Sequence, residues 1–80
     1  MSVDEYVAQV QMAQTEFATT FNGLIAKGYS PEVILPALAV SLGRAIAVTA
    51  ASKEDMLDGL TRGTNVVMAS ARERWEERTQ

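Results

Sequence analysis

The chain has 80 residues, of which 48% are hydrophobic, and it carries a formal net charge of −3 at pH 7 without cysteine or histidine. A single core in a chain this short buries only about 60–65% of the unfolded surface, so small domains usually add disulfides, a metal or a partner subunit. Disulfides need cysteine, and zinc, copper and iron sites usually need histidine or cysteine, so we expect neither a disulfide nor a metal. Close packing or oligomerisation remains as the source of stability.

The charged and nucleophilic residues exclude several classes of function. Seven basic residues are scattered among ten acidic ones, whereas nucleic-acid binding requires a basic stripe that faces phosphates, so we expect no nucleic-acid partner. The usual general base and the usual thiol nucleophile are missing, so we predict that the chain is not an enzyme and needs no cofactor. The lack of cysteine fits a reducing compartment, and Asp4 and Glu5 stand where a secretory leader is basic, so we expect a cytoplasmic protein.

The first predicted helix covers residues 3–27. Ser2 precedes it with Glu5 three residues later, a pairing typical of helix starts, and Lys27 followed by Gly28 suits a helix end. Its large apolar residues recur on one face, while the opposite face is polar but nearly uncharged. The apolar face comprises Val3, Tyr6, Val7, Val10, Phe17, Phe21, Leu24 and Ile25.

The second predicted helix covers residues 31–51 and is apolar on every side. Ser30 precedes Pro31, the residue type preferred at the first helical position. From Val33 to Ala51 the only charge is Arg44, and a helix that is apolar all round is usually buried all round. Two neighbouring helices cover its leucine face and its face of small residues, and leave a third face that carries the valines. We expect another molecule to cover that third face.

A membrane span is the main alternative for this helix. Its 19 or so mostly apolar residues approach the roughly 20 that a bilayer requires. Arg44 near the middle costs a few kcal/mol on insertion scales, and Pro36 and the short link to the next helix fit a compact bundle. We therefore expect a soluble helix. Arg44 is interpreted as lying along the apolar surface with its head in water or on Glu16 or Asp58, rather than as a buried anion-binding cation.

The third predicted helix covers residues 53–78. Ser52 with Asp55 three residues later indicates its start. Gly59 and Gly63 lie four residues apart beside its apolar face, a spacing that lets helices approach closely. We expect these glycines to pack within the chain rather than along a dimer seam.

The elements predict an all-α fold, a three-helix bundle with helix 2 at its centre, assembled into a symmetric helical dimer. Residues 1–80 are expected to form a single domain. The predicted core comprises Val10, Phe17, Phe21, Leu38, Leu42, Ile46, Leu60 and Val67.

The function predicted from this pattern is that of a non-catalytic protein-interaction and oligomerisation module, a structural, regulatory or accessory subunit that forms a homodimer. One alternative is a small inhibitor or adaptor that binds a different protein, and another is a carrier or sensor of an apolar ligand. The interface is expected on the third face of helix 2, at Val33, Ile34, Val40, Arg44 and Val48.

Overall fold

A computed structural model describes residues 1–79, and across them the chain is all-helical, with three α-helices and no strand. Helix α1 spans Val3–Ala26, α2 spans Pro31–Thr49 and α3 spans Lys53–Thr79. The predicted all-α class and the predicted helix order are therefore confirmed. The second helix ends at Thr49 rather than at residue 51, so a short link precedes α3. Gln80, part of the predicted domain, lies outside the described residues.

Serine side chains cap two of the helices. The hydroxyl of Ser2 accepts a hydrogen bond from the backbone N–H of Glu5 at 3.1 Å, and the hydroxyl of Ser52 accepts one from the N–H of Asp55 at 3.1 Å. Each bond satisfies one N–H of a first turn that has no partner inside the helix. Acidic residues in the same turns add a favourable interaction with the helix dipole.

The turn between α1 and α2 is closed by glycine. Gly28 has a φ of 98°, in the left-handed region. Its N–H donates to the carbonyl of Ile25 at 3.0 Å, and the N–H of Tyr29 donates to the carbonyl of Leu24 at 3.1 Å. This pair of bonds is the Schellman motif, which ends a helix and satisfies its last carbonyls. A side chain at residue 28 would strain the turn.

The chain divides into two compact units, an N-terminal unit of Met1–Leu38 and a C-terminal unit of Ala39–Gln80. In the N-terminal unit Ile34 is buried, with 5% of its surface exposed, and Phe21 and Leu24 are half-buried. These side chains come from the two helical segments that flank the Gly28 turn. The ordered centre of this unit therefore lies beside the turn.

In the C-terminal unit α2 meets the glycine edge of α3. A Cβ atom added to Gly59 would stand 3.1 Å from Cγ2 of Ile46, and one added to Gly63 would stand 3.7 Å from its Cδ1. The side chain of Ile46 thus lies over the two glycines, which let the helices approach closely. The prediction that these glycines pack within the chain is confirmed.

The predicted core is largely wrong. Of the residues that the structure describes, only Ile34 is buried, and it was not among the predicted core residues. Phe21 and Ile46 are half-buried, but the other six predicted core residues are exposed: Val10, Phe17, Leu38, Leu42, Leu60 and Val67. The prediction assumed that each helix has neighbours on two sides. In each unit a pair of helical segments makes the close contact, and a pair covers only one narrow stripe of each helix.

Each unit leaves large apolar side chains exposed. In the N-terminal unit these include Phe17 and Val33, and in the C-terminal unit Val48, Leu57 and Trp75, each with at least half of its surface accessible. Water solvates such surface poorly.

Candidate interaction surface

An apolar groove runs between α2 and α3 in the C-terminal unit, with a volume of about 250 Å³. Small residues of α2 and α3 form part of its lining, so the groove exists because these side chains are short. Its lining residues are Ala39, Leu42, Gly43, Ile46, Leu60, Gly63, Thr64, Val67 and Met68.

Gly43 lines this groove with open space in front of it. A Cβ atom placed on Gly43 would have no heavy atom within 4 Å beyond its own helix backbone and its chain neighbours. Glycine inside a helix costs roughly 0.5–1 kcal/mol relative to alanine, and packing within the chain offers nothing to offset that cost here. The small side of α2 at Gly43 is therefore available to a neighbour outside the C-terminal unit.

Five large apolar residues of α3 are exposed and share one side of the helix. They project roughly 40–140° around the helix from Gly63, at about 100° per residue. Leu60, Val67 and Met68 among them also line the groove, and Trp75 has 59% of its surface accessible. We call this set the α3 stripe, and it consists of Leu57, Leu60, Val67, Met68 and Trp75.

A second exposed apolar set lies on α1. The last turns of α1 flank the centre of the N-terminal unit, but the residues before them are exposed, including Phe17 at 69%. We call this set the α1 stripe, and it consists of Val3, Tyr6, Val7, Val10 and Phe17. Sequence periodicity predicted that these residues share one face, and it assigned Val10 and Phe17 among them to the core.

Threonine hydroxyls on α1 are satisfied within the helix. The hydroxyl of Thr15 donates to the carbonyl of Gln11 at 3.1 Å, that of Thr19 to Thr15 at 3.0 Å, and that of Thr20 to Glu16 at 3.1 Å. A hydroxyl bonded in this way can be covered by an apolar surface without losing its partner. The uncharged polar face of α1 is therefore compatible with burial.

The structure divides the residues that the sequence predicted as an interface. Ile34 is buried inside the N-terminal unit, so its side chain is not available to a partner. Val33 is exposed in the same unit. In the C-terminal unit Val40, Arg44 and Val48 are exposed and project roughly 120–160° around α2 from Ile46. We call these three residues the outer face of α2.

Arg44 is exposed at this outer face, which corresponds to a head group in water. Asp58, one of its two predicted partners, is paired with Arg62 one turn away on α3. Another ion pair on α3 joins Arg74 to Glu77 at 3.1 Å. Such exposed pairs within one helix contribute only about 0.3–0.5 kcal/mol, so the charged half of α3 is a solvated surface.

Helix α2 also satisfies the length and composition of a membrane span. Its 19 residues have a mean hydropathy of 1.6 over the most apolar window, and 6% of that window is buried. The core helix of a soluble protein and a signal sequence can have the same length and composition, so length and composition alone do not distinguish these cases.

Among residues 1–79, no group of three or more histidine, cysteine, aspartate or glutamate side chains is placed to hold a metal ion. Sequence reasoning did not identify the groove, although the spacing of Gly59 and Gly63 was a signal for the close contact that forms it. No protein-family model matches the chain, no curated protein matches it, and no solved structure matches it.

Proposed function

We propose that this chain is a non-catalytic helical module that self-associates, as a homodimer, and serves as a structural, regulatory or accessory subunit. The observation that carries the proposal is that each unit exposes large apolar side chains, including Phe17 at 69% in the N-terminal unit and Val48 at 84% in the C-terminal unit. Association that buries these side chains is favourable, because the removal of apolar surface from water is its main driving force.

The apolar character of the exposed side chains supports a permanent dimer, because the interfaces of permanent homodimers are more hydrophobic than those of transient complexes. Two-fold symmetry is the commonest closed arrangement and places the same surface on both copies. The outer face of α2 is one part of the proposed interface, and Val33 is proposed as a further contact from the N-terminal unit.

A ligand-carrier function is supported less well by the groove. Small-molecule sites usually measure about 300–1,000 Å³ and enclose most of their ligand. The groove in the C-terminal unit has about 250 Å³ and lies along a helix pair, a shape that suits a side chain or a helix of a partner.

Light scattering coupled to size-exclusion chromatography tests the proposal. We expect the wild-type chain to elute with the mass of a dimer at concentrations of tens of micromolar, because burial of several large apolar side chains at roughly 1.5–3 kcal/mol each supports micromolar association after the costs of ordering. A monomeric mass at several hundred micromolar, with helix content intact by circular dichroism, would contradict self-association.

Two variants test whether the outer face of α2 belongs to the dimer interface. Val40→Lys places a charge on the outer face of α2 and is expected to weaken the dimer by at least about tenfold, the equivalent of about 1.4 kcal/mol. Val66→Lys is the matched control, because Val66 is an exposed valine on the charged side of α3. Equal dissociation constants for the two variants would remove the outer face from the interface.

Association of α2 with a lipid bilayer is a second candidate function, favoured by its length, hydropathy and low burial. Arg44 opposes full insertion, since a central arginine costs a few kcal/mol. Flotation with phosphatidylcholine vesicles distinguishes self-association from association with a bilayer. Self-association predicts that the protein stays in the bottom fraction as a dimer, whereas bilayer association predicts that it floats and that Val48→Lys returns it to the bottom fraction.

A further inference from the structure

Helix α2 contains two prolines, and they have different consequences for its backbone hydrogen bonds. Pro31 is the first residue of the helix, a position whose N–H has no partner inside the helix, so proline removes no bond there. Pro36 lies inside the helix. It has no N–H to donate to the carbonyl of Glu32, and its ring crowds that carbonyl. The hydrogen-bond ladder of α2 is therefore interrupted at Pro36 and not at Pro31.

The division between the two units falls in α2, close to Pro36. The N-terminal unit ends at Leu38 and the C-terminal unit begins at Ala39, although α2 runs without a break across both residues. The covalent connection between the units is thus a segment of helix. The interrupted part of the ladder lies beside the point at which one unit ends and the other begins.

Each end of α2 is held by a different helical segment. Before Pro36, Ile34 is buried within the N-terminal unit. After it, Ile46 lies over the glycine edge of α3, where a Cβ atom on Gly59 would stand 3.1 Å from its Cγ2. Between these two side chains, residues 35–42 are all exposed. Buried apolar contact therefore supports both ends of α2, but not the part in which the ladder is interrupted.

We infer that α2 is jointed at Pro36, so that its ladder opens there and the two units turn independently about residues 36–39. The part of α2 before the joint moves with Ile34, and the part after it moves with Ile46. Opening breaks a few backbone bonds and leaves the buried side chain and the glycine contact intact, which is the property of a hinge. The inference concerns one helix of one chain, so it holds or fails independently of the proposed homodimer.

The joint has a consequence for association, because the residues proposed as contacts lie on both sides of it. Val33 precedes Pro36, and the outer face of α2 follows it. A partner that contacts both sides orders the joint when it binds. The apparent affinity then depends on the fraction of free chains whose units are already in the matching orientation.

Amide hydrogen exchange measured residue by residue by NMR tests whether the ladder opens at Pro36. Proline inside a helix disfavours the helical form roughly 100-fold relative to alanine. Pro36→Ala restores the missing N–H, and we expect it to slow the exchange of the amides of residues 37–40 by at least about tenfold. Exchange within α3 should be unchanged, since the joint is local to α2.

Pro31→Ala is the matched control. Both prolines are exposed, so neither substitution removes a buried side chain, and Pro31→Ala adds an N–H that has no partner inside the helix. Exchange at residues 37–40 should therefore equal that of the wild type. Equal exchange in the wild type and in Pro36→Ala, or equal slowing along α2 and α3, would overturn the joint.

A distance measurement tests whether opening moves the units. The chain has no cysteine, so spin labels can be attached to Met12→Cys in the N-terminal unit and Val66→Cys in the C-terminal unit, both at exposed positions. Labelled chains are diluted into an excess of unlabelled chains, so the measured distance lies within one chain. We expect a broad distribution of distances in electron spin resonance, and a narrower one when Pro36→Ala is added.

A second pair of labels within the N-terminal unit, at Met12→Cys and Val33→Cys, is the reference for a pair that does not span the joint. Val33 is also exposed, and this distribution should be narrow with and without Pro36→Ala. A distribution between the units as narrow as this reference, or a breadth that Pro36→Ala leaves unchanged, would show that the units do not turn about Pro36.

Discussion

The two units of the chain hold their helical segments together with different side chains. In the N-terminal unit a large residue, Ile34, is buried beside a glycine turn. In the C-terminal unit no described residue is buried, and α2 and α3 are held close by Ile46 over two glycines. A unit centred on a large side chain should lose stability when that side chain is made smaller. A unit centred on glycines should lose stability when a side chain is added to them. The comparison shows that close helix contact and an ordered core are separate properties.

Removal of the buried side chain should have the largest effect. Ile34→Ala is expected to lower the free energy of unfolding by about 2–5 kcal/mol, because it removes buried methyl groups and leaves a cavity. Urea denaturation followed by circular dichroism measures the loss. Val66→Ala, at an exposed position on α3, should change stability by less than about 0.5 kcal/mol. Equal losses for the two variants would mean that Ile34 does not anchor the N-terminal unit.

Added volume should be the next most damaging change, and only in the C-terminal unit. Gly59→Val places atoms against Ile46, where the Cβ alone would stand 3.1 Å from Cγ2, and we expect a loss of about 1–3 kcal/mol. Gly23→Val is the matched control, since Gly23 is a helical glycine with nothing within 4 Å of its added Cβ. In an Ile46→Ala background the difference between the two variants should disappear in urea denaturation. A difference that persists there would disprove the contact.

A third substitution, at Gly43, is expected to change the stability of the single chain and the stability of the dimer in opposite directions. Gly43→Ala should stabilise α2 by up to about 1 kcal/mol through helix propensity, since its added Cβ meets open space. If a helix of a second copy occupies the groove, the same methyl group should weaken the dimer, as measured by sedimentation equilibrium. Gly23→Ala should give the stabilisation without the weakening. A Gly43→Ala dimer as tight as the wild type would argue against an occupied groove.

The smallest effect is expected on the charged half of α3. Asp58→Asn removes the exposed ion pair with Arg62, and we expect a loss of less than about 0.5 kcal/mol in thermal or urea unfolding. Dimerisation should be unchanged, because this side of α3 lies away from the α3 stripe. A loss above about 1 kcal/mol would show that the charged half of α3 is packed against another surface.

The helices could be predicted from the sequence because their signals are local. Ser2 and Ser52 cap the helices that were expected at those positions, and Gly28 takes the conformation that its place after a helix predicts. These interactions involve residues three to five apart, so chain order alone identifies them. Close packing at Gly59 and Gly63 was also predicted, since small residues one turn apart permit it, but Ile46 was not predicted as the side chain that contacts them.

The core could not be predicted because it depends on which helix covers which face. Phe17 and Val67 have the periodicity of buried residues, and periodicity shows only that a face avoids water. Whether that face is covered by the same chain or by another is a property of the assembly. The same reasoning explains Ile34, which was assigned to an intermolecular face and instead forms the centre of the N-terminal unit.

The exposed surface also has a consequence for the abundance of the protein in a cell. A chain whose folded form is stabilised by a second copy melts at a temperature that rises with its own concentration. At low concentration a larger fraction of copies is unfolded or unpaired, and such copies are the ones that chaperones retain and proteases degrade. If the proposed homodimer forms, the half-life of the protein should therefore increase with its expression level, so that small amounts are cleared and only amounts above the dissociation constant accumulate.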